Sequence, residues 1–220
     1  MKLNLWLYKL ENKISRFAIE KLMTFITVSM LIVWAVDMLI PITGYNVSIY
    51  GMLHFDRHLV FSGQVWRILT FIFLYPATTS PIFTALAIYF YWWVGNTLEQ
   101  YMGKARFNLF YLFGYIGSII SGLISGGVTN DYLNLSLFLA FAILFPNVRV
   151  LLFFFIPIKV KWLGIVDGLL LFFTFIIGTW ISRAAIIAAI INFLIFFGYQ
   201  LWHNIKRAYE DYKNRNRYNY

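Results

Sequence analysis

Five runs dominate this chain. Residues 22–40, 82–98, 107–128, 162–181 and 184–201 are each 17 to 22 residues long and carry at most one charged side chain apiece. A helix of that length just covers the hydrocarbon core of a bilayer, rising about 1.5 Å per residue against a core about 30 Å thick. In water so much unbroken apolar surface would have no partner. Only 12% of the residues are charged, against 61% apolar and 21% aromatic, where a soluble domain carries about 25% charged residues. A soluble enzyme and a disordered chain are excluded. The absence of cysteine also removes a disulfide scaffold, a thiolate zinc site and a cysteine nucleophile.

The first 21 residues differ in kind. Leu3, Leu7, Leu10, Ile14 and Phe17 recur at helical spacing with Lys9, Lys13, Arg16 and Lys21 between them, the pattern of an amphipathic helix lying in a membrane interface. The run 22–40 is longer than a secretory signal core and ends in Asp37 and Pro41 rather than in small residues around a cleavage point. It is read as a retained first span. Residues 132–145 make a further apolar run of only 14, expected as a short helix shielded by its neighbours. The runs 68–75 and 150–156 are shorter still and are expected at an interface or dipping partway in. The expected fold class is all-α: a polytopic six-helix bundle with a short central fourth helix and an interfacial first loop. It divides into a cytoplasmic interfacial segment 1–21, a membrane domain 22–202 and a basic cytoplasmic tail 203–220.

Six spans return the chain to the side on which it began. With both termini in the cytoplasm, only Arg57, Arg67 and Arg183 of the 18 Lys and Arg residues fall outside, and the rest crowd the inner segments, as the positive-inside rule requires. Trp162 and Trp180 bracket the fifth span, while Trp92, Trp93 and Trp202 lie near inner ends, where indoles anchor helices at headgroup level. The formal net charge of +9 then reflects attraction to anionic lipid. The lipid bilayer is the expected partner, nucleic acid is not, and the expected location is the plasma membrane of a bacterium.

Three motifs stand in order along the chain. The segment Gly63, Gln64, Val65, Trp66, Arg67, Ile68, Leu69, Thr70 resembles the Trp-Arg motif in the first extramembrane loop of the rhomboid superfamily, the intramembrane serine proteases and their inactive relatives. Leu98 and Glu99 with Gly103, Arg106 and Phe107 resemble the Leu-Glu-x3-Gly segment that closes the second helix of that family. Phe145 and Pro146, followed by Ile156, Pro157, Ile158 and Lys159, resemble the loop after its fourth helix. The resemblance covers residues 63–167, about half of the chain, and implies a rhomboid-like bundle.

The family's chemistry does not follow. A rhomboid protease attacks with the serine of a Gly-x-Ser-Gly segment opening the fourth helix, assisted by a histidine on the sixth. A serine hydroxyl becomes nucleophilic only when a base within hydrogen-bond reach takes its proton. Counted back without gaps from Phe145 and Pro146, that segment falls on Thr129, Asn130, Asp131 and Tyr132, with Asp131 in the serine's place. The histidine slot falls at Ile191 or Asn192, and the oxyanion-holding His-x3-Asn of the second helix falls on Phe83 and Ala87. The resemblance is therefore to a rhomboid pseudoprotease, Derlins being the best-known comparison. It implies no catalytic residue, no cofactor and no metal, and a role in binding transmembrane segments or client membrane proteins for quality control, retention or trafficking. Lateral entry of a client helix beside the second and fifth spans is the implied route.

Other residues carry readings of their own. Ser136 would need His54 or His58 from the outer loop to fold over it, since His203 lies at the opposite side of the membrane; that arrangement would make an active intramembrane serine endopeptidase with an unorthodox site. A small transporter or channel is a third possibility, against which stands the absence of an inverted repeat. His54, Asp56 and His58 alternate as metal ligands do, but a zinc or copper site needs three or four convergent ligands. Gly114, Ser118, Gly122 and Gly126 form an i, i+4 ladder that lets helix backbones approach closely in lipid, within the chain or against a client. Ala184/Ala188 and Ala185/Ala189 repeat the pattern. Asp37 and Asp167 lie near span ends, whereas Asn192 is mid-span and expected to find Asn134 or Ser136. With Asp131, these three residues make a candidate binding cleft.

Overall fold

The computed structural model describes residues 2–44, 47–78, 80–152 and 156–217. Ten α-helices follow one another: α1 (Lys2–Ile14), α2 (Leu22–Leu39), α3 (Ile49–Leu53), α4 (Arg57–Phe61), α5 (Arg67–Thr70), α6 (Pro81–Met102), α7 (Lys104–Ser125), α8 (Asp131–Leu144), α9 (Val160–Ile177) and α10 (Trp180–Arg217). Four helical stretches, Leu22–Ile42, Lys104–Ser125, Val160–Ile177 and Trp180–Arg207, are long and apolar enough to cross a membrane. The chain is thus a mostly helical protein built for several passes through a bilayer. Helix α6 matches α7 at 22 residues, but its last two turns carry Asn96, Thr97, Glu99 and Gln100. Helix α8 has 14 residues, about 21 Å of rise.

Local chemistry sets the helix ends. Pro81 opens α6, where a missing N–H costs nothing. Gly103 at φ 81° separates α6 from α7, and Gly126 at φ 104° ends α7, both in a region of backbone space that glycine enters without a Cβ penalty. The apolar run 107–128 is therefore not one helix. Gly127–Val128 leave it as a strand, β2, pairing antiparallel with β1 (Phe55–Asp56). A second ladder joins β3 (Arg149–Leu152) to β4 (Ile156–Lys159), with Pro157 opposite Leu151. These two short ladders lie in the connections and leave the expected all-α class standing. The sixth run was expected to close at 201, yet α10 continues through the basic segment to Arg217. Residues 199–217 contain neither glycine nor proline, and Lys206 and Glu210 pair at i, i+4 over 3.7 Å.

Helix α7 is the axis. α10 packs on it most extensively and then on α8; α2 packs on α6, and α9 on α8. The core gathers Met23, Ile26, Met30, Leu98, Phe107, Phe110, Leu133 and Phe141, all almost wholly buried. Phe110 sits edge-on to Phe196 and Phe197 at 5.3 and 5.4 Å, a favoured aromatic geometry. Helix α1 turns Leu7, Leu10 and Ile14 onto this cluster, and Glu11 approaches Arg106 to 3.5 Å. Its apolar stripe thus meets the bundle. At this end Lys104 also pairs with Glu20 at 2.7 Å, and Tyr101 meets Phe145, gathering the start of α2, the end of α6, the start of α7 and the end of α8.

Close approach at glycine is tightest where side chains could not yield. A Cβ on Gly164 of α9 would lie 2.6 Å from the Cβ of Ala142 on α8, whereas one on Gly168, a turn later, would meet nothing within 4 Å. Overpacking a rigid contact costs about 1–3 kcal/mol, while glycine to alanine in an open helix position gains up to about 1 kcal/mol. Gly164→Ala should therefore lower the thermal unfolding midpoint in detergent micelles, followed through the eight tryptophans, and Gly168→Ala should leave it level or raise it.

Candidate functional site

The loop between α2 and α6 is a fastened structure. Arg67 is only 6% exposed, and its guanidinium donates to Gln64 Oε1 (2.7 Å), the Gly51 carbonyl (2.8 Å) and the His54 carbonyl (2.7 Å). A planar fork of fixed donors suits this task, which a lysine could not perform. Trp66 stays half exposed and donates its indole N–H to the Met52 carbonyl. Thr70 reaches the Leu53 carbonyl. Arg57 caps α7 from outside, donating to the carbonyls of Leu123 and Ile124. The run 68–75 lies in α5 and a following 3-10 turn, Phe71–Phe73, with Phe71 and Leu74 fully buried. Tyr115 of α7 donates to the Ile68 carbonyl. Asp37, near the end of α2, accepts from the Ile49 N–H and the Tyr75 hydroxyl, so it ties loop to helix rather than reaching for the interface.

Asn130 was not singled out in the sequence except as part of a lost motif. It is 3% exposed, and its amide nitrogen donates to the carbonyls of Ile72 (3.2 Å) and Leu74 (2.7 Å). It thereby pins the dipping loop to the start of α8. No local pattern announces such a role; it depends on residues 56 to 58 positions away.

The candidate cleft is only partly assembled. Asp131 is exposed and accepts from its neighbour Thr129 at 2.8 Å, outside the interior. Asn134, Ser136 and Asn192 are 2%, 1% and 3% exposed. Ser136 donates to the Leu133 carbonyl of its own helix at 2.7 Å. Asn134 and Asn192 do not bond to each other, and neither amide has a hydrogen-bond partner among the described residues. Asn192 lies instead against Gly114, where an added Cβ would come within 2.8 Å of its nitrogen and 2.4 Å of Leu133. Ile191, the other residue at that slot, is 53% exposed, as is Phe83, while Ala87 is half-buried.

His54 stacks on Tyr50 beside the β1–β2 ladder, and burial pushes its ring below the ordinary value, with Asp56 acting against that and Arg67 with it. Asp56 caps α4 by accepting from the Leu59 N–H, the main cause of its carboxyl lying below the usual range. His203 meets Tyr199 along α10. Among the described residues no three His, Asp or Glu gather as a metal site.

The small-residue ladder divides its work. Gly114 meets α8 and α10, as above, and Ser118 bonds back to the Gly114 carbonyl. Gly122 receives the ring of Phe55 and the side chain of Val128, and Gly126 turns the chain out of α7. Gly117 faces Ala188 of α10. Along that contact α7 and α10 border a cavity of about 670 Å³, which Gly117 and Ala188 themselves line. Its walls include Ile120, Ser121, Ala184, Ile187, Ile191 and Asn192, and the buried Ser121 hydroxyl lacks a partner. The other family-motif residues are placed as follows. Glu99 is 9% exposed and accepts the Lys21 N–H at 2.6 Å. Gly103 makes the α6–α7 turn, Arg106 faces Glu11, and Pro157 lies in β4.

Compared with models of protein families, with curated proteins and with solved structures, the chain matches none. Its geometry alone supplies a prediction. Asn130→Ala strands two buried carbonyls, a loss of about 1–3 kcal/mol. Amide exchange over residues 71–75 should accelerate at least tenfold in that variant, while the α7–α10 contact stays protected.

Proposed function

We propose that this chain is a rhomboid-like membrane protein without hydrolytic chemistry, which binds transmembrane segments of client membrane proteins in quality control, retention or trafficking. In this reading α2, α6, α7, α8, α9 and α10 are its six bundle helices, α8 is the short fourth, and both termini lie in the cytoplasm. Fifteen of the 18 Lys and Arg residues then face inward, in the plasma membrane of a bacterial cell.

One observation carries the proposal. Ser136, the hydroxyl that an unorthodox hydrolytic site would need, is bonded to its own backbone, and the buried amides of Asn134 and of Asn192, at the histidine slot, have no partner among the described residues. An unpaired polar group away from water is costly, and polar residues inside a membrane bundle mark function more often than structure. A client helix with an amide or hydroxyl at mid-bilayer would meet Asn192 at the wall of the α7–α10 cavity once the amide turns outward, while Gly117, Ala184 and Ala188 let its backbone come close. The family implies entry beside α6 and α9. Helix α9 suits a moving wall, since 11% of its most apolar stretch is buried against 44% for α7. The cavity between α7 and α10 supports seating there instead.

A photoreactive residue at Ile187, in the cavity wall, should yield adducts with transmembrane segments of other proteins. The same group at Ile82, 70% exposed on α6, should yield mainly lipid. Asn192→Leu should weaken capture of polar-bearing helices by about three- to tenfold. Lipid adducts alone from Ile187 would contradict client binding.

A further inference from the structure

At the end of the bundle where Glu20 pairs with Lys104, the first turn of α2 packs against the last turns of α6: a Cβ on Gly95 would strike Met23, and the Lys21 N–H meets Glu99. Beside these contacts lies a second cavity of about 730 Å³. Its lining is unlike that of the α7–α10 cavity. Lys21, Lys104 and Glu20 stand at its rim, Trp92, Asn96 and Glu99 in its wall.

Glu99 is the informative residue. It is 9% exposed, and one carboxylate oxygen takes the N–H of Lys21 while the other has no partner. Lys21 is the one described non-glycine residue at positive φ, 55°, so the chain accepts an uncommon backbone conformation in the residue that meets this carboxylate. The Lys21 ammonium forms no salt bridge among the described residues, and Lys104, bonded once to Glu20, has further N–H donors. Trp92 donates to Thr24, whose hydroxyl is 3.1 Å from the Asn96 carbonyl oxygen, which fixes the wall.

We propose that this cavity binds the headgroup of phosphatidylethanolamine, with the phosphate at Lys21 and Lys104 and the primary ammonium at the free oxygen of Glu99. The charges require a ligand of both signs. An anionic headgroup would satisfy the lysines and leave the buried carboxylate unpaired beside a second anion. A trimethylammonium carries no N–H to donate, whereas a primary ammonium makes charge-assisted hydrogen bonds. Trp92 and Trp93 both line the cavity, and tryptophans favour the level of the headgroups. The site depends on the chain spanning a bilayer with this end at the interface, not on client capture.

Delipidated protein in detergent, titrated with dilauroyl phosphatidylethanolamine, phosphatidylglycerol or phosphatidylcholine and weighed intact by native mass spectrometry, tests this. The ethanolamine lipid should bind about tenfold more tightly than the choline lipid. Glu99→Gln should abolish that preference. Because Glu99 also holds a backbone N–H, its replacement costs stability as well, so Lys21→Gln, which keeps that N–H, supplies the second arm: it should weaken ethanolamine-lipid binding about threefold, as loss of an exposed charge contact does. Equal binding of all three lipids, a preference for the glycerol lipid, or ethanolamine-lipid binding undiminished by Lys21→Gln would each overturn the proposal.

Discussion

Helices surrounded by lipid gain little from the hydrophobic effect by touching one another. What holds this bundle is close packing against α7, and the rest depends on it. Gly114 admits Leu133 and Asn192, Gly117 admits Ala188, and Gly122 admits Phe55, so a single helix receives α8, α10 and the α2–α6 loop at successive turns. The loop is in turn fixed by polar bonds. Arg67, Asn130, Asp37 and Tyr115 each satisfy backbone or hydroxyl groups that lie far from them in sequence. In a low-dielectric surrounding those groups have no water to turn to. Dispersion and close approach set the helix arrangement; directed hydrogen bonds set the loop upon it.

Apolar periodicity and length made most of the helices legible. The runs 22–40, 132–145 and 162–181 lie within about four residues of α2, α8 and α9 at each end. Two misreadings have physical causes. Gly126 and Gly127 are apolar enough to extend a hydropathy run, but the positive φ of Gly126 ends the helix and frees Val128 for a strand. The tail after Leu201 is polar, and polarity says where a helix leaves the membrane, not where it ends.

The interior was harder to read. The pairing of Asn192 with Asn134 or Ser136 was expected because an unpaired mid-span amide is costly, and that cost does not say which neighbour the amide meets. Asn192 instead fills the space that Gly114 leaves. Asp131 looked like part of a cleft because it occupies a motif slot, yet the first residue of a helix has an easy path to solvent and to Thr129. Glu99 was recognised as a motif residue, but its contact with Lys21, 78 positions away, belongs to the tertiary fold.

Polar groups left unpaired inside the bundle link structure to the functional reading. Among the described residues the Asn134 and Asn192 amides and the Ser121 hydroxyl are buried without a partner, and Ser136 is bonded to its own helix; the proposed recognition without hydrolysis rests on these two observations. The most direct test is turnover. Purified protein in liposomes, mixed with fluorogenic transmembrane substrates bearing polar residues at mid-span, should retain them uncleaved, with wild type and Ser136→Ala indistinguishable. Cleavage by the wild type that disappears in Ser136→Ala would contradict the account.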